Sequence, residues 1–333
     1  MYYLIGIKGT GMSALAQILF DLGYEVMGSD KPDHFFTEKP LIERGIKILP
    51  FNKDNIKEDM LIVQGNAFSD TNEEVVRAKE LNLKIYTYQE MVGKLTKMFN
   101  TITVAGCHGK TTTSAMLSHV LNNIVGANYL IGDGSGYAIK ENNYFVLEAC
   151  EYKRHFLSYT PQYAIITNIE LDHIDYYKDI DDYIDAFREY ANNAEKMVIA
   201  CGDDQYTHML EPKKPIFFYG LNEDNDIVAR DVNYTNEGTS FDVYVEDNYY
   251  GHFDLPLFGK HMLLNSLAVI GVCYYERLDA KEVSKNLKTF KGAKRRFKEK
   301  VIGDIVTIDD YAHHPTEVKV TIKGARQKYP DKE

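Results

Sequence analysis

Twice along this chain a short apolar run ends in a glycine turn that opens into a helix-patterned stretch. The turns are Gly9-Thr10-Gly11-Met12-Ser13-Ala14 and Gly106-Cys107-His108-Gly109-Lys110-Thr111. A strand delivered into a helix through glycine is the first half of a parallel crossover unit, so each region is committed to an open α/β sheet that takes ligands at the carboxyl ends of its strands. Apolar runs at 2–7, 24–28 and 60–63 alternate with helical patterns at 11–22 and 72–81, and a second such series starts at 101 with strand-like 101–105, 144–147, 163–167 and 196–200 around a helical 111–121. Between 227 and 257 the pattern becomes β-rich, broken at Asn236-Glu237-Gly238 and Glu246-Asp247-Asn248, which predicts antiparallel hairpins. Helical patterns return at 260–276 and 280–287. A basic, glycine-containing stretch, 291–296, then leads into a strand at 304–309 and a helix at 315–328 that opens on proline.

The expected fold class is therefore α/β: a Rossmann-like N-terminal domain over 1–99, a central P-loop α/β domain with antiparallel β additions over 100–292, and the start of a third Rossmann-like domain over 293–333. A parallel unit needs a returning strand after 315–328, so the third domain is expected to be incomplete within this sequence. A chain of 333 residues exceeds one ordinary hydrophobic core, which agrees with several domains. Lys plus Arg number 38 against 49 Asp plus Glu, a net charge of −11 that works against nonspecific binding to nucleic acid or to an anionic membrane. No apolar run is long enough to span a bilayer and the N-terminus has strand rather than signal-peptide character, so a cytoplasmic location is expected. Cys107, Cys150, Cys201 and Cys273 form no CxxC pair, which indicates reduced thiols rather than a disulfide framework or zinc knuckle.

Gly9 to Ala14 fits G-x-G-x-x-G/A, and Asp30 follows about twenty residues later at the end of the next strand. This pattern places a diphosphate on a helix N-terminus with a carboxylate near a ribose or base, and it does not separate NAD from other nucleotide diphosphates. The second turn differs in chemistry. In Gly106-Cys107-His108-Gly109-Lys110-Thr111, backbone N–H groups would surround phosphate oxygens, Lys110 would reach the β/γ-phosphates of ATP, and the Thr111 hydroxyl would hold Mg2+. The loop is two residues shorter than the usual P-loop, since Val104 stands where that loop has its first glycine. A dehydrogenase has no use for such a loop.

Magnesium on a triphosphate needs hard oxygen ligands at neighbouring strand ends. Glu148, closing the run 144–147, is suitably placed, with Glu151 a weaker competitor. The stretch 167–173, with Thr167, Asn168, Glu170, Asp172 and His173, concentrates polar side chains at another strand end, where His173 could bind a second metal ion or orient substrate. Arg295 and Arg296 could reach phosphate bidentately. The stretch Asp309-Asp310-Tyr311-Ala312-His313-His314-Pro315 is dense in functional side chains, but its paired histidines lack the remaining ligands of a zinc site.

Together these stretches resemble the Mur ligase family. The resemblance covers essentially the whole chain and rests on Gly6-Ile7-Lys8-Gly9-Thr10-Gly11-Met12, residues 106–113, residues 167–173 and Asp309 to Pro315, in that order; the last, DDYAHHP, is similar to the DDYxHHP stretch of the alanine-adding branch. The resemblance implies an ATP-dependent ligase that joins L-alanine to the carboxylate of UDP-N-acetylmuramate through an acyl phosphate, in peptidoglycan precursor synthesis. It implies that Gly9, Thr10, Gly11, Met12 and Ser13 bind the UDP diphosphate with Asp30 near the uridine, and that Gly106, Cys107, His108, Gly109, Lys110, Thr111 and Thr112 hold ATP and Mg2+. It further implies that Glu148 bridges two magnesium ions with His173 on the second, that His261 and Asn265 contact adenine, and that Asp310 meets the ATP ribose. Arg295 or Arg296 would meet the γ-phosphate, Asn168 would serve the substrate site, and Tyr311 and His313 would face the incoming amino acid.

Two departures stand out. Met262 follows His261 where the family has Asn, and the family's C-terminal domain continues past Glu333, so poor turnover is expected from residues 1–333 alone. A ligase attaching a recycled peptide to the same UDP-sugar, a noncatalytic nucleotide-binding regulator and a Rossmann dehydrogenase are the alternatives.

Overall fold

The computed structural model describes residues 1–332. They pack as two compact units, the first comprising Met1–Thr101, Gly126–Leu147 and Ser158–Thr160, the second Ile102–Val125, Glu148–Leu157 and the chain from Pro161 onward. In the first unit β1 (Tyr2–Ile5), α1 (Thr10–Asp21), β2 (Val26–Ser29), α2 (Glu38–Glu43), β3 (Lys47–Leu49), β4 (Leu61–Gln64), α3 (Glu73–Glu80), β5 (Ile85–Thr87) and α4 (Tyr88–Thr96) alternate as their apolar periodicity requires. The sheet order is β3-β2-β1-β4-β5, every pair parallel. The order reverses at β1, so the crevice of this sheet opens where the first glycine turn leaves that strand. Tyr3, Ile5, Ile62, Val75 and Ala78 form a core on one face. The fully buried Glu74 is tolerated beside that core because the Tyr3 hydroxyl at 2.8 Å, Asn55 Nδ2 at 2.9 Å, Asn52 N at 3.1 Å and the Ser29 hydroxyl all donate to it.

The chain continues through β6 (Asn100–Ala105) and α5 (Lys110–Ile124) to β7 (Ala127–Ile131), β8 (Ser135–Tyr137) and β9 (Tyr144–Glu148). β7 pairs antiparallel with β8 and parallel with β9. This segment packs with the first unit: Gln17 Nε2 donates to the Gly134 carbonyl at 2.9 Å, and a Cβ on Gly136 would sit 2.0 Å from the Ala14 carbonyl oxygen. Only glycine lets β8 ride so close on α1.

In the second unit follow β10 (Tyr163–Ile166), α6 (Ile180–Asn192), β11 (Met197–Cys201), β12 (Ile216–Gly220), β13 (Ile227–Thr235), β14 (Gly238–Val245), β15 (Asn248–Leu255), α7 (Lys260–Tyr275), α8 (Ala280–Leu287), β16 (Lys298–Ile302), β17 (Ile305–Asp309) and α9 (Pro315–Lys328). Its strands run β15-β14-β13-β12-β11-β10-β6, parallel from β6 to β13 and antiparallel beyond. The antiparallel strands turn at the two predicted hairpins. Leu263, Leu267, Ala268, Val269, Ile270 and Val272 of α7 are fully buried, so this helix is apolar on nearly every side because it lies inside the unit. No helix among the described residues is long and apolar enough to cross a membrane. The mixed α/β architecture is the one expected, with one addition: β17 pairs antiparallel with β16, a strand in the charged stretch after 291–296 to which the sequence pattern assigned no element.

Candidate active site

The second glycine turn leaves no room for a side chain at either of its glycines. Gly106 has φ +133° and a Cβ there would lie 2.1 Å from Thr167 Oγ1; Gly109 has φ +83° and its Cβ would lie 2.6 Å from Asn265 Oδ1. The end of β10 rivets the turn in place. Asn168 Oδ1 accepts from the His108 N–H at 2.9 Å, while Thr167 Oγ1 and Asn168 Nδ2 donate to the His108 carbonyl at 2.6 and 2.9 Å. Asn168, expected at the substrate, also buttresses the loop. Gly109 caps α5 with no side-chain hydrogen bond, which leaves the helix start to other acceptors. Cys107 is buried against the Tyr183 hydroxyl, 3.1 Å away, and burial pushes its thiol up to about 12. It packs the loop and is no nucleophile.

Around this turn the structure gathers a charged cluster from three segments. Lys110 Nζ donates to the carbonyls of Gly106 at 2.5 Å and Cys107 at 3.1 Å, and to Glu151 Oε1 at 3.1 Å. The same Glu151 oxygen lies 3.2 Å from His173 Nε2. Burial alone would lower the Lys110 pKa and raise that of Glu151, but their mutual charge outweighs it, leaving Lys110 raised and Glu151 lowered. The hydrogen bond that the His173 Nε2–H donates to Glu151 raises the His173 pKa. Thr111 Oγ1 donates to Glu148 Oε1 at 3.0 Å, which puts the two oxygen donors side by side. Glu151, the weaker competitor in sequence, therefore sits with Lys110 and His173, while Glu148 sits with Thr111. The hard oxygen donors Thr111 and Glu148 fit a divalent cation such as Mg2+. Glu151 Oε2 is buried with no hydrogen-bond partner among the described residues.

Beside the loop lies a cavity of about 260 Å3 lined by His108, Gly109, Thr111, Thr112, Thr167, Asn168, Glu170, Asp204, His261, Met262, Leu264, Asn265, Arg296, Asp310, Thr316, Glu317, Val320 and Thr321. Five widely separated stretches thus meet: the glycine turn, the end of β10, the loop after β11, the start of α7 and the 296–321 region. Burial lowers His261 to about 4, so a neutral imidazole faces the cavity at neutral pH. Arg296 lies 3.5 Å from Asp310 and 3.7 Å from Glu317, while the Arg295 guanidinium stacks over the Tyr311 ring at 4.8 Å. Of the two arginines, Arg296 lines the cavity. Tyr311 and His313 stand outside it, 54% and 71% exposed.

The loop is tied to α9 by an arrangement invisible in the sequence. His108 Nε2 meets Glu170 at 3.0 Å and His108 Nδ1 meets Glu317 at 3.4 Å, with the His314 ring 4.7 Å from the His108 ring. His108, Glu170 and His314 bring ligand-capable atoms within 4.8 Å of one another, so the histidine pair of the 309–315 stretch does acquire partners through the fold. The hydrogen bonding favours an ion-pair reading over a metal. Both His108 nitrogens face carboxylates, and His314 Nδ1 accepts the Thr316 N–H as the cap of α9. Burial would lower His108, but Glu317 and Glu170 outweigh it and raise it; burial would raise Glu317, but His108 and Arg296 hold it down at about 2. Glu317 could have been suspected from its place three residues after the capping His314, the spacing of a capping box. Glu170 stands in the polar stretch at the end of β10, but nothing local points to its pairing with His108.

In the first unit the glycine turn is capped by Gly9 without a side chain, as at Gly109, but its charges are satisfied internally. Asp30 accepts from the Lys8 N–H at 2.7 Å and the Lys31 N–H at 2.8 Å, so its carboxylate holds the turn's shape. Lys8, to which the motif assigned nothing, donates to Lys31 O at 2.7 Å and Asp33 O at 2.8 Å and pairs with Glu38 at 2.7 Å. The Ser13 hydroxyl donates to Thr37 O at 2.9 Å. Met12 is buried, and Thr10 and Gly11 open α1.

Residues 1–100 match the Mur ligase family catalytic domain and residues 104–273 match the Mur ligase middle domain. Three solved structures are similar at nearly equal identity. The UDP-N-acetylmuramate-alanine ligase of Thermotoga maritima is 27% identical, with a TM-score of 0.83 over 99% of this chain and 78% of that one. The UDP-N-acetylmuramate:L-alanyl-gamma-D-glutamyl-meso-diaminopimelate ligase of Neisseria meningitides is 26% identical, with a TM-score of 0.77 over 88% of this chain and 99% of that one. A murein peptide ligase of Psychrobacter arcticus is 26% identical, with a TM-score of 0.81 over 99% of this chain and 77% of that one.

Proposed function

Since this chain belongs to the Mur ligase family, ATP-dependent amide ligases of peptidoglycan precursor synthesis, we propose that it activates the carboxylate of UDP-N-acetylmuramate with ATP and joins it to L-alanine. The observation that carries the reading is the cavity at the second glycine turn, where phosphate-binding geometry, His261 and Asn265 at the start of α7, and Arg296 with Asp310 converge. ATP lies there with its phosphates on the N-terminus of α5 and its base toward His261 and Asn265. Lys110 and Arg296 supply positive charge to the transferring phosphoryl group, and His173 and Glu148 flank it. Mg2+, held by Thr111 and Glu148, offsets phosphate charge when bound. The UDP diphosphate rests on the N-terminus of α1 in the first unit.

A carboxylate is a poor acyl donor at neutral pH, so the order of events follows from charge. The carboxylate oxygen takes the γ-phosphoryl group, ADP leaves, the amine of the amino acid attacks the acyl phosphate, and phosphate departs as the amide forms. The role of the chain's cations is to bring two anions together, which in water repel. L-alanine is favoured over a peptide by the DDYAHHP stretch, in which Tyr311 and His313 face the amine donor. A peptide donor is the competing reading because two peptide ligases are as similar in sequence as the alanine ligase.

Single-turnover release of phosphate from ATP decides between them. With UDP-N-acetylmuramate present, release stimulated by L-alanine supports the proposal, and release stimulated only by L-alanyl-gamma-D-glutamyl-meso-diaminopimelate replaces it with the peptide reading. Release indifferent to UDP-N-acetylmuramate contradicts both.

A further inference from the structure

The loop after β11 brings into the nucleotide cavity a carboxylate, Asp204, that the reading above leaves without a task. Its neighbour Asp203 fixes the loop. Asp203 Oδ1 accepts from the N–H groups of Leu221 at 3.0 Å and Asn222 at 3.2 Å and from Asn225 Nδ2 at 3.1 Å, while Oδ2 lies 3.1 Å from Lys260 Nζ in the first turn of α7. Asp204 is held by backbone alone. Its Oδ1 accepts from the Tyr206 N–H at 3.0 Å and the Thr207 N–H at 3.3 Å, whereas its Oδ2 takes one long bond, from the Ile169 N–H at 3.3 Å. A carboxylate oxygen accepts two donors, so Oδ2 keeps capacity for another. Burial outweighs these three N–H groups and raises the Asp204 carboxyl, with the Glu170 charge adding to the rise. A further donor would offset that burial.

With its phosphates on the turn after β6, a nucleotide runs across the end of β10 toward β11, because these strands are parallel neighbours in that order. Its base then reaches the space between the start of α7 and the loop after β11, which Lys260 and Asp203 tie together. The start of α7 offers no group of fixed hydrogen-bonding sense there. Neutral His261 donates from one ring nitrogen and accepts at the other, the Asn265 amide does both, and Met262 is apolar. Ionised Asp204 only accepts. Adenine carries an amino donor at its 6-position where guanine carries an oxygen, so a fixed acceptor bonds the first and repels the second.

We propose that Asp204 sets the base preference of the nucleotide site, accepting the 6-amino group of adenine and excluding a 6-oxo purine such as guanine. This rests on the ATP reading above and leaves Met262 no part in that choice.

The test is calorimetry of the chain with nonhydrolysable analogues of ATP, GTP and 2′-deoxy-ATP. The wild-type chain should bind the ATP analogue at least about tenfold more tightly than the GTP analogue. Asp204→Asn sets an NH2 donor beside the remaining acceptor and should bring that ratio to within about threefold, with the 2′-deoxy ratio as in the wild type. Asp204→Ser, whose hydroxyl still accepts from the backbone, should level the ratio as well and serves if Asp204→Asn does not fold. A smaller wild-type preference than this overturns the proposal while leaving ATP binding in place. So does a variant that weakens both analogues and keeps the wild-type ratio, which makes Asp204 a brace of the loop, or one that changes only the 2′-deoxy ratio, which makes it a ribose contact. No saturable binding of the ATP analogue to the wild-type chain overturns the ATP reading, and this proposal with it.

Discussion

The two glycine turns share a backbone and differ in what their charges do. Each follows a parallel strand, each starts a helix capped by glycine without a side-chain hydrogen bond, and each is held by a polar group from a neighbouring strand end. At the first turn, Lys8 is consumed by Glu38 and two carbonyls, and Asp30 by two backbone N–H groups. At the second, Lys110, Glu151 and His173 share one carboxylate oxygen and leave another without a partner. A turn with settled charges binds by shape and backbone dipole, while one with mobile charge can answer to a reaction. That division matches one loop for a UDP-sugar and another for ATP.

The largest effect should come from Lys110→Met. It removes the cation at the second turn and strands Glu151, so second-unit stability should fall by about 3–5 kcal/mol in urea unfolding. ATP-analogue affinity should drop by roughly a hundredfold or more by calorimetry, with UDP-N-acetylmuramate affinity unchanged. Loss of both affinities would break the contrast.

Next come the glycines. Gly106→Ala forces a Cβ 2.1 Å from Thr167 Oγ1 at φ +133° and should cost on the order of 3 kcal/mol, because that hydroxyl is fixed by two carbonyls. Gly6→Ala, at φ +83°, combines backbone strain with a clash 2.2 Å from the Phe68 ring, a side chain able to move, and should cost about 2 kcal/mol and weaken only UDP-sugar binding.

A pH series sharpens the contrast further. Glu317 is depressed from its ordinary 4.5 to about 2, so its contribution is fully present above pH 4.5 and is lost as pH falls toward 2. Its size is on the order of 3 kcal/mol. His108 is raised above 6.5, so its contribution is present below that pH and is lost as pH rises through its folded value. Glu317→Gln should flatten both limbs of the stability profile measured by urea titration. An unchanged acid limb would mean that the ion pair to His108 contributes nothing.

The smallest effect is expected from Lys8→Met. Removing this ammonium loosens the 31–38 segment and should lower the melting temperature by about 2–4 °C, with ATP-analogue binding untouched.

Local periodicity was enough to locate the elements that frame both turns. The helix bounds 280–287 and 315–328 coincide with α8 and α9, and both hairpin turns fall where glycine and asparagine break the β-rich stretch. What escaped were relations between distant segments. Gly126–Leu147 looks like a continuation of its neighbours until Gly136 is seen against α1, and β16 hides because its alternating charges suit an exposed strand as well as a linker. At the site, Lys110, Thr111, Glu148 and His173 stand out by residue type and strand-end position. Glu170 and Glu317 do not, since only folding brings them onto His108. Asn168 and Asp30 were read as ligand contacts, and in the structure both also brace a glycine turn, a use of polar side chains that motif spacing cannot distinguish from binding.

Calorimetry of the wild-type and Lys110→Met chains with UDP-N-acetylmuramate and a nonhydrolysable ATP analogue tests the division of labour most directly. Two saturable binding events on the wild-type chain, with only the nucleotide event lost in Lys110→Met, are the predicted result. A wild-type chain that binds neither ligand, or a Lys110→Met chain that keeps the nucleotide and loses the UDP-sugar, would contradict it.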